Sequence, residues 1–125
     1  NPFEKGVVQA NGFHGVTTRS TALHGSRKVQ GRDYSFFYNP MWGFFGDRTS
    51  GPPGTIFHRH SGHQSVDWNI FDQVLIRPDA LPWFDDTIHI VTQIGDTNLL
   101  SKRGRPKKTV GSDHLPLMFR LAQRK

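Results

Sequence analysis

Alternation with a period of two residues runs through much of this chain, and glycine and proline cut it repeatedly. A two-residue period sets successive side chains on opposite faces of an extended backbone, so these runs predict strands rather than helices. Tyr34 to Phe37, Thr55 to Phe57, Asn69 to Ile76, Thr87 to Ile94 and Leu115 to Leu121 read as strands on that basis. The 13 glycines and 8 prolines among 125 residues supply the turns between them. Gly46 to Gly54 is a loop by turn chemistry, and Lys102 to Lys108 is a charged loop containing Gly104 and Pro106. Helix signals are scarce. Asn1 as a cap, Pro2 in the first turn and Glu4 near the amino end predict one short helix that Gly12 ends.

Hydrophobic residues make up only 34% of the chain, yet 10 Phe, 3 Trp and 2 Tyr supply bulky apolar area for a core. No repeat or Gly/Ser linker divides the sequence, and its length fits one β-rich domain. Sixteen Lys and Arg against ten Asp and Glu leave a formal charge of +6, which favours polyanionic partners such as nucleic acid or phosphorylated small molecules. The absence of cysteine excludes disulfides, thiolate metal sites and a cysteine nucleophile, and is compatible with a cytoplasmic location. No apolar run reaches the length of a membrane span, and Asn1 to Gly6 is too polar for a signal peptide. The chain has no initiating Met, so the expectation is that it begins inside a longer protein.

Two segments carry chemistry. In Trp68-Asn69-Ile70-Phe71-Asp72-Gln73-Val74-Leu75-Ile76-Arg77, a strand would put Ile70, Asp72, Val74 and Ile76 on one face. A carboxylate among β-branched apolar neighbours needs a partner. In Gly111-Ser112-Asp113-His114-Leu115-Pro116-Leu117, an acid and an imidazole open a strand whose apolar face is Leu115, Leu117, Phe119 and Leu121. An Asp-His pair at a strand mouth suits cation binding and water activation, with a carboxylate from a neighbouring strand fixing the imidazole tautomer. Asp72 is placed to supply that carboxylate.

These residues resemble the endonuclease/exonuclease/phosphatase superfamily, which includes deoxyribonuclease I, abasic-site endonucleases, sphingomyelinases and inositol polyphosphate phosphatases. The likeness is carried by Ser112-Asp113-His114-Leu115-Pro116-Leu117 and, upstream, by Phe71-Asp72-Gln73-Val74-Leu75-Ile76. It extends to Asn1-Pro2-Phe3-Glu4, similar to the segment directly after the family's Gly-Asp-Phe-Asn motif, and to Phe36-Phe37-Tyr38-Asn39-Pro40-Met41-Trp42, similar to a block in bacterial members. The resemblance implies a four-layer α/β/β/α sandwich of the deoxyribonuclease I-like type, with residues 1–125 as the carboxyl-terminal half of one domain. It implies catalytic roles for His114 as base or transition-state stabiliser, Asp72 as its orienting carboxylate, and Asp113 in metal or leaving-group chemistry. The family's amino-terminal Asn, metal-binding Glu, mid-domain His and Asp-x-Asn pair have no counterpart here. The implied Mg²⁺ or Mn²⁺ would therefore be held mostly by the other half, with Asp113 as this chain's ligand.

Lys102-Arg103-Gly104-Arg105-Pro106-Lys107-Lys108 resembles the core of an AT-hook, whose Arg-Gly-Arg-Pro lies in a narrow minor groove. A solvated loop and a phosphate-contacting rim beside Asp113 and His114 are the competing readings, and the rim fits its position in the sequence. Lys102, Arg103, Arg105, Lys107 and Lys108, with Trp68, are thus the candidate substrate-binding residues. His58, His60 and His63 have ligand chemistry but match no zinc spacing. Trp42 and Trp83 read as packing residues, and the adjacent Asp85-Asp86 is assigned no catalytic role.

The expected function is a metal-dependent phosphodiesterase or phosphatase half-domain, nuclease-like and inactive alone, acting on a phosphate ester with nucleic acid favoured. The alternative is a non-enzymatic DNA-binding module using the basic loop. Half a sandwich leaves apolar surface without cover, so the face carrying Ile70, Val74, Leu115, Leu117 and Phe119 is expected to meet the amino-terminal half or a second copy of the chain.

Overall fold

The computed structural model describes residues 1–9, 14–59 and 67–122. Among the described residues are two α-helices, α1 (Lys5–Val8) and α2 (Arg19–Leu23), and three short 3-10 helices. Nine short strands accompany them: β1 (His14–Val16), β2 (Ser26–Val29), β3 (Arg32–Tyr38), β4 (Ile56–Phe57), β5 (Trp68–Asn69), β6 (Phe84–Ile90), β7 (Gln93–Ile94), β8 (Thr97–Asn98) and β9 (Leu117–Leu121). The result is a small mixed α/β protein, rich in strand, with few helices and small sheets. None of its described helices is long and apolar enough to cross a membrane. Contacts divide the chain into two units interleaved along the sequence. The first comprises Asn1–Gly43, Gln73–Asp86 and Arg120–Lys125, and the second Phe44–Asp72 and Thr87–Phe119.

In the first unit, β3 is the central strand of a three-stranded sheet, parallel to β1 and antiparallel to β2. The β2–β3 hairpin turns on Gln30 and Gly31, both at positive φ (48° and 77°), the geometry that matches a two-residue turn to the twist of its strands. Thr18 caps α2 by accepting the Thr21 N–H at its hydroxyl. Ala22, Phe36, Phe37, Met41, Val74, Ile76, Leu81 and Phe84 form the buried apolar residues of this unit. Asn39 is also fully buried and satisfied: its amide donates to Gln73 Oε1 at 2.8 Å and its carbonyl accepts the Met41 N–H at 3.0 Å.

In the second unit, β4 and β5 pair antiparallel around a buried cluster of Thr55, Ile56, Asn69, Ile70 and Leu115. Gly54 precedes β4 where a Cβ atom would stand 2.6 Å from the Asn69 carbonyl oxygen, so only glycine fits that approach. A second antiparallel hairpin, β7–β8, turns at Gly95.

Several expected elements take a different form. The strand expected from Asn69 to Ile76 stops at Asn69, because the Thr55 hydroxyl accepts the N–H groups of Phe71 and Asp72 and withdraws them from any ladder. The burial pattern nevertheless holds, with Ile70, Val74 and Ile76 all buried. Thr87 to Ile94 is split between β6 and β7. The last strand begins at Leu117 instead of Leu115. The amino-terminal helix is a single turn, and its expected end at Gly12 lies outside the described residues. Ile70, Val74 and Leu115, expected to await cover from a partner, are buried by the chain itself, whereas Met118, Phe119 and Leu121 of β9 are about half exposed.

Candidate functional site

Thr55 organises the site in the second unit. Its N–H donates to the Asn69 carbonyl at 2.9 Å, its own carbonyl accepts the Leu115 N–H at 2.7 Å, and its hydroxyl accepts from Phe71 and Asp72 at 3.1 and 3.2 Å. One fully buried threonine thus ties β5, the Asp72 turn and the 114–115 segment together. His114 is aligned further by an antiparallel bridge to Ile56 and by donating its N–H to the Ser112 hydroxyl at 3.0 Å.

These constraints bring Asp72 and His114 together. Asp72 Oδ2 lies 2.7 Å from His114 Nδ1, across 42 residues of sequence. The expected pairing is therefore present, although Asp72 occupies a turn rather than a strand. An ionised carboxylate only accepts hydrogen bonds, so in the neutral imidazole the shared proton sits on Nδ1 and Nε2 keeps its lone pair. Both side chains are partly open to solvent, as a group that must meet an outside substrate requires.

Asp113 points its carboxylate to a different partner, Lys108 Nζ at 3.0 Å. The Lys108 hydrogen bond, helped by its own backbone N–H and by the nearby charges of Lys108 and His114, holds the Asp113 carboxyl below its ordinary range. Magnesium seeks several oxygen ligands in octahedral array. No group of three His, Asp or Glu side chains among the described residues converges to hold a metal, and Asp113 is engaged by a lysine. The described residues do not by themselves fit a magnesium centre.

The basic segment is folded back on itself. Ser101 N–H donates to the Arg105 carbonyl, Lys107 N–H donates to Leu99, and Gly104 closes the turn at φ 69°. Arg105 stacks over the Phe57 ring at 4.2 Å, and Phe57 meets Trp68 edge-on at 5.4 Å. Trp68 is thereby a neighbour of the basic loop, one residue along β5 from the Asn69 that Thr55 holds. Lys107 and His114 line one cavity of about 160 Å³, with Ser112 on its polar side and Ile94, Leu99, Val110 and Pro116 as apolar wall. Lys102 and Arg103 are exposed and form no ion pair among the described residues. Of the candidate histidines, His60 and His63 lie outside the described residues.

Sequence reasoning missed Thr55 and the role of Ser112. Ser112 carried a signal, since a serine two residues ahead commonly accepts the later N–H in a turn. Thr55 carried none, because its contacts are all long-range.

No family model, curated protein or solved structure matches this chain.

Proposed function

We propose that this chain carries the His-Asp portion of a phosphodiester-hydrolysing site, with nucleic acid the favoured substrate. The observation that carries the proposal is the 2.7 Å contact between Asp72 Oδ2 and His114 Nδ1, which leaves Nε2 to accept a proton from water or, once protonated, to donate to a phosphoryl oxygen. Lys107, which lines the same cavity as His114, with Lys102 and Arg103 exposed in the same loop, gives a phosphate chain a basic approach. Arg105, seated on Phe57, serves the rim rather than entering a groove. The chain is proposed as the carboxyl-terminal half of a four-layer deoxyribonuclease I-like sandwich. In that complete domain a Mg²⁺ or Mn²⁺ ion would polarise the phosphoryl group, its ligands assigned chiefly to the amino-terminal half.

The test monitors the His114 ring by NMR while a short DNA duplex and diethyl phosphate are titrated into the purified chain. Binding that perturbs His114, weakens with salt and falls about tenfold in Lys107→Ala is expected. No perturbation of His114 by either probe contradicts the proposal. Duplex binding that survives His114→Ala and is lost in Arg105→Ala would favour a non-enzymatic DNA-binding module instead. Appreciable Mg²⁺-dependent turnover by the chain alone, abolished by His114→Ala, would retain the chemistry and overturn the half-domain assignment.

A further inference from the structure

The first unit contains a separate hollow of about 270 Å³, lined by Gln9, His14, Arg27, Val29, Gln30 and Tyr34. Its walls are fixed by ordinary hairpin geometry. Arg27 and Tyr34 are directly paired across β2 and β3, and Gln30 sits in the left-handed turn that joins them. His14 opens β1 beside Phe36, with its ring stacked on Phe36 at 5.5 Å and tilted against Tyr34 at 5.7 Å.

Two polar groups in this hollow lack what such groups normally have. His14 is 95% buried, yet its Nδ1 has no hydrogen-bond partner among the described residues. That nitrogen is closed off from solvent, so any His14 contact to a ligand falls to the part of the ring that lines the hollow. Arg27 forms no ion pair among the described residues, and the nearest acid along the hairpin, Asp33, pairs with Lys28. Among the described residues, no carboxylate lines the hollow.

A guanidinium without a counter-ion, an imidazole, two amides and a phenol offer more donors than the two oxygens of a planar carboxylate can use. A tetrahedral phosphate has enough acceptor oxygens, and the guanidinium fork matches its geometry. Val29 and the Tyr34 ring add apolar wall for a substituent on that phosphate. We infer that this hollow binds the phosphate of a phosphate monoester, with Arg27 and His14 as its principal contacts. The inference does not rest on the hydrolase reading, because it uses none of the residues of the His114 site.

The experiment is calorimetric and NMR titration of the purified chain with phenyl phosphate, with acetate as the carboxylate control. Saturable phenyl phosphate binding that shifts the His14 ring signals and is at least about tenfold tighter than acetate is expected. Arg27→Gln, a substitution at an exposed strand position, should weaken binding about tenfold while leaving the circular dichroism spectrum unchanged. His14→Gln should weaken it as well, and His114→Ala should not. A 5′-phosphorylated dinucleotide binding more tightly than its unphosphorylated form would identify a nucleic-acid end as the source of the monoester; failure of both to bind would leave a free small ester as the source, and equal binding of the two would overturn the inference. Absence of saturable binding, acetate binding as tightly as phenyl phosphate, or an Arg27→Gln variant that binds as the parent does would overturn the inference.

Discussion

The hydroxyl of Thr55 accepts the backbone N–H groups of both Phe71 and Asp72, at 3.1 and 3.2 Å, from a fully buried position. This contact sets where the Asp72 carboxylate stands, so the candidate site depends on a residue that touches no substrate. Thr55→Val keeps the shape and removes the acceptor. Two part-buried N–H groups then lose this partner, and the expected loss of stability is about 1 kcal/mol by urea denaturation. The His114 ring signals should shift with it. Unchanged stability and unchanged His114 signals would remove Thr55 from the account.

Gly54 is held against the backbone of Asn69 with no room for a methyl group. Gly54→Ala must push β4 from β5, and a cost of about 1–3 kcal/mol is expected, as for other overpacked sites. Gly6, which has open space around its Cα, is the control: Gly6→Ala should be tolerated. Equal thermal midpoints for Gly54→Ala and the parent would show that the strand pair is looser than described.

Burial, and secondarily the charge of Arg27, hold the His14 imidazole below its ordinary value of 6.5. Tyr34 faces the same ring. The unfolded chain takes up a proton on His14 at a higher pH than the folded chain does. Stability from this residue is therefore complete above about pH 6.5 and declines as the pH falls through that value towards the lowered folded one. Urea midpoints measured at about pH 7.5 and about pH 5.5 should differ less in His14→Gln than in the parent. Equal differences in the two proteins would contradict the assignment.

Met118, Phe119 and Leu121 of β9 stand about half exposed, and exposed apolar strands tend to associate. Sedimentation at micromolar concentration should show a dimer or larger species that Phe119→Ser with Leu121→Ser reduces. A parent protein that stays monomeric would contradict this expectation.

Between Asn69 and Ile76, alternation in the sequence located the buried residues more reliably than the strand. Ile70, Val74 and Ile76 are inside as a two-residue period implies, because burial tracks the facing of side chains whether or not a ladder forms. The strand itself was lost to a hydroxyl more than a dozen residues upstream in sequence, an interaction that no local pattern encodes. Asp72 and His114 were legible as a pair because a carboxylate among apolar neighbours demands a partner and an imidazole stands in the next chemically loaded segment. The fold-back of the basic loop onto Leu99 and Phe57 was not legible, since Lys102 to Lys108 reads the same whether extended or turned. The Gln30-Gly31 turn and the Thr18 cap are local features of the kind that sequence can reveal.

The central claim is that Asp72 holds His114 with its proton on Nδ1 and its Nε2 free. Nitrogen-15 NMR of the imidazole ring measures this directly, because protonated and unprotonated ring nitrogens resonate far apart. At a pH where the ring is neutral, His114 should show a protonated Nδ1 and an unprotonated Nε2, and Asp72→Ala should abolish that preference. An Nε2-protonated His114 in the parent protein, or a tautomer unchanged by Asp72→Ala, would contradict the account.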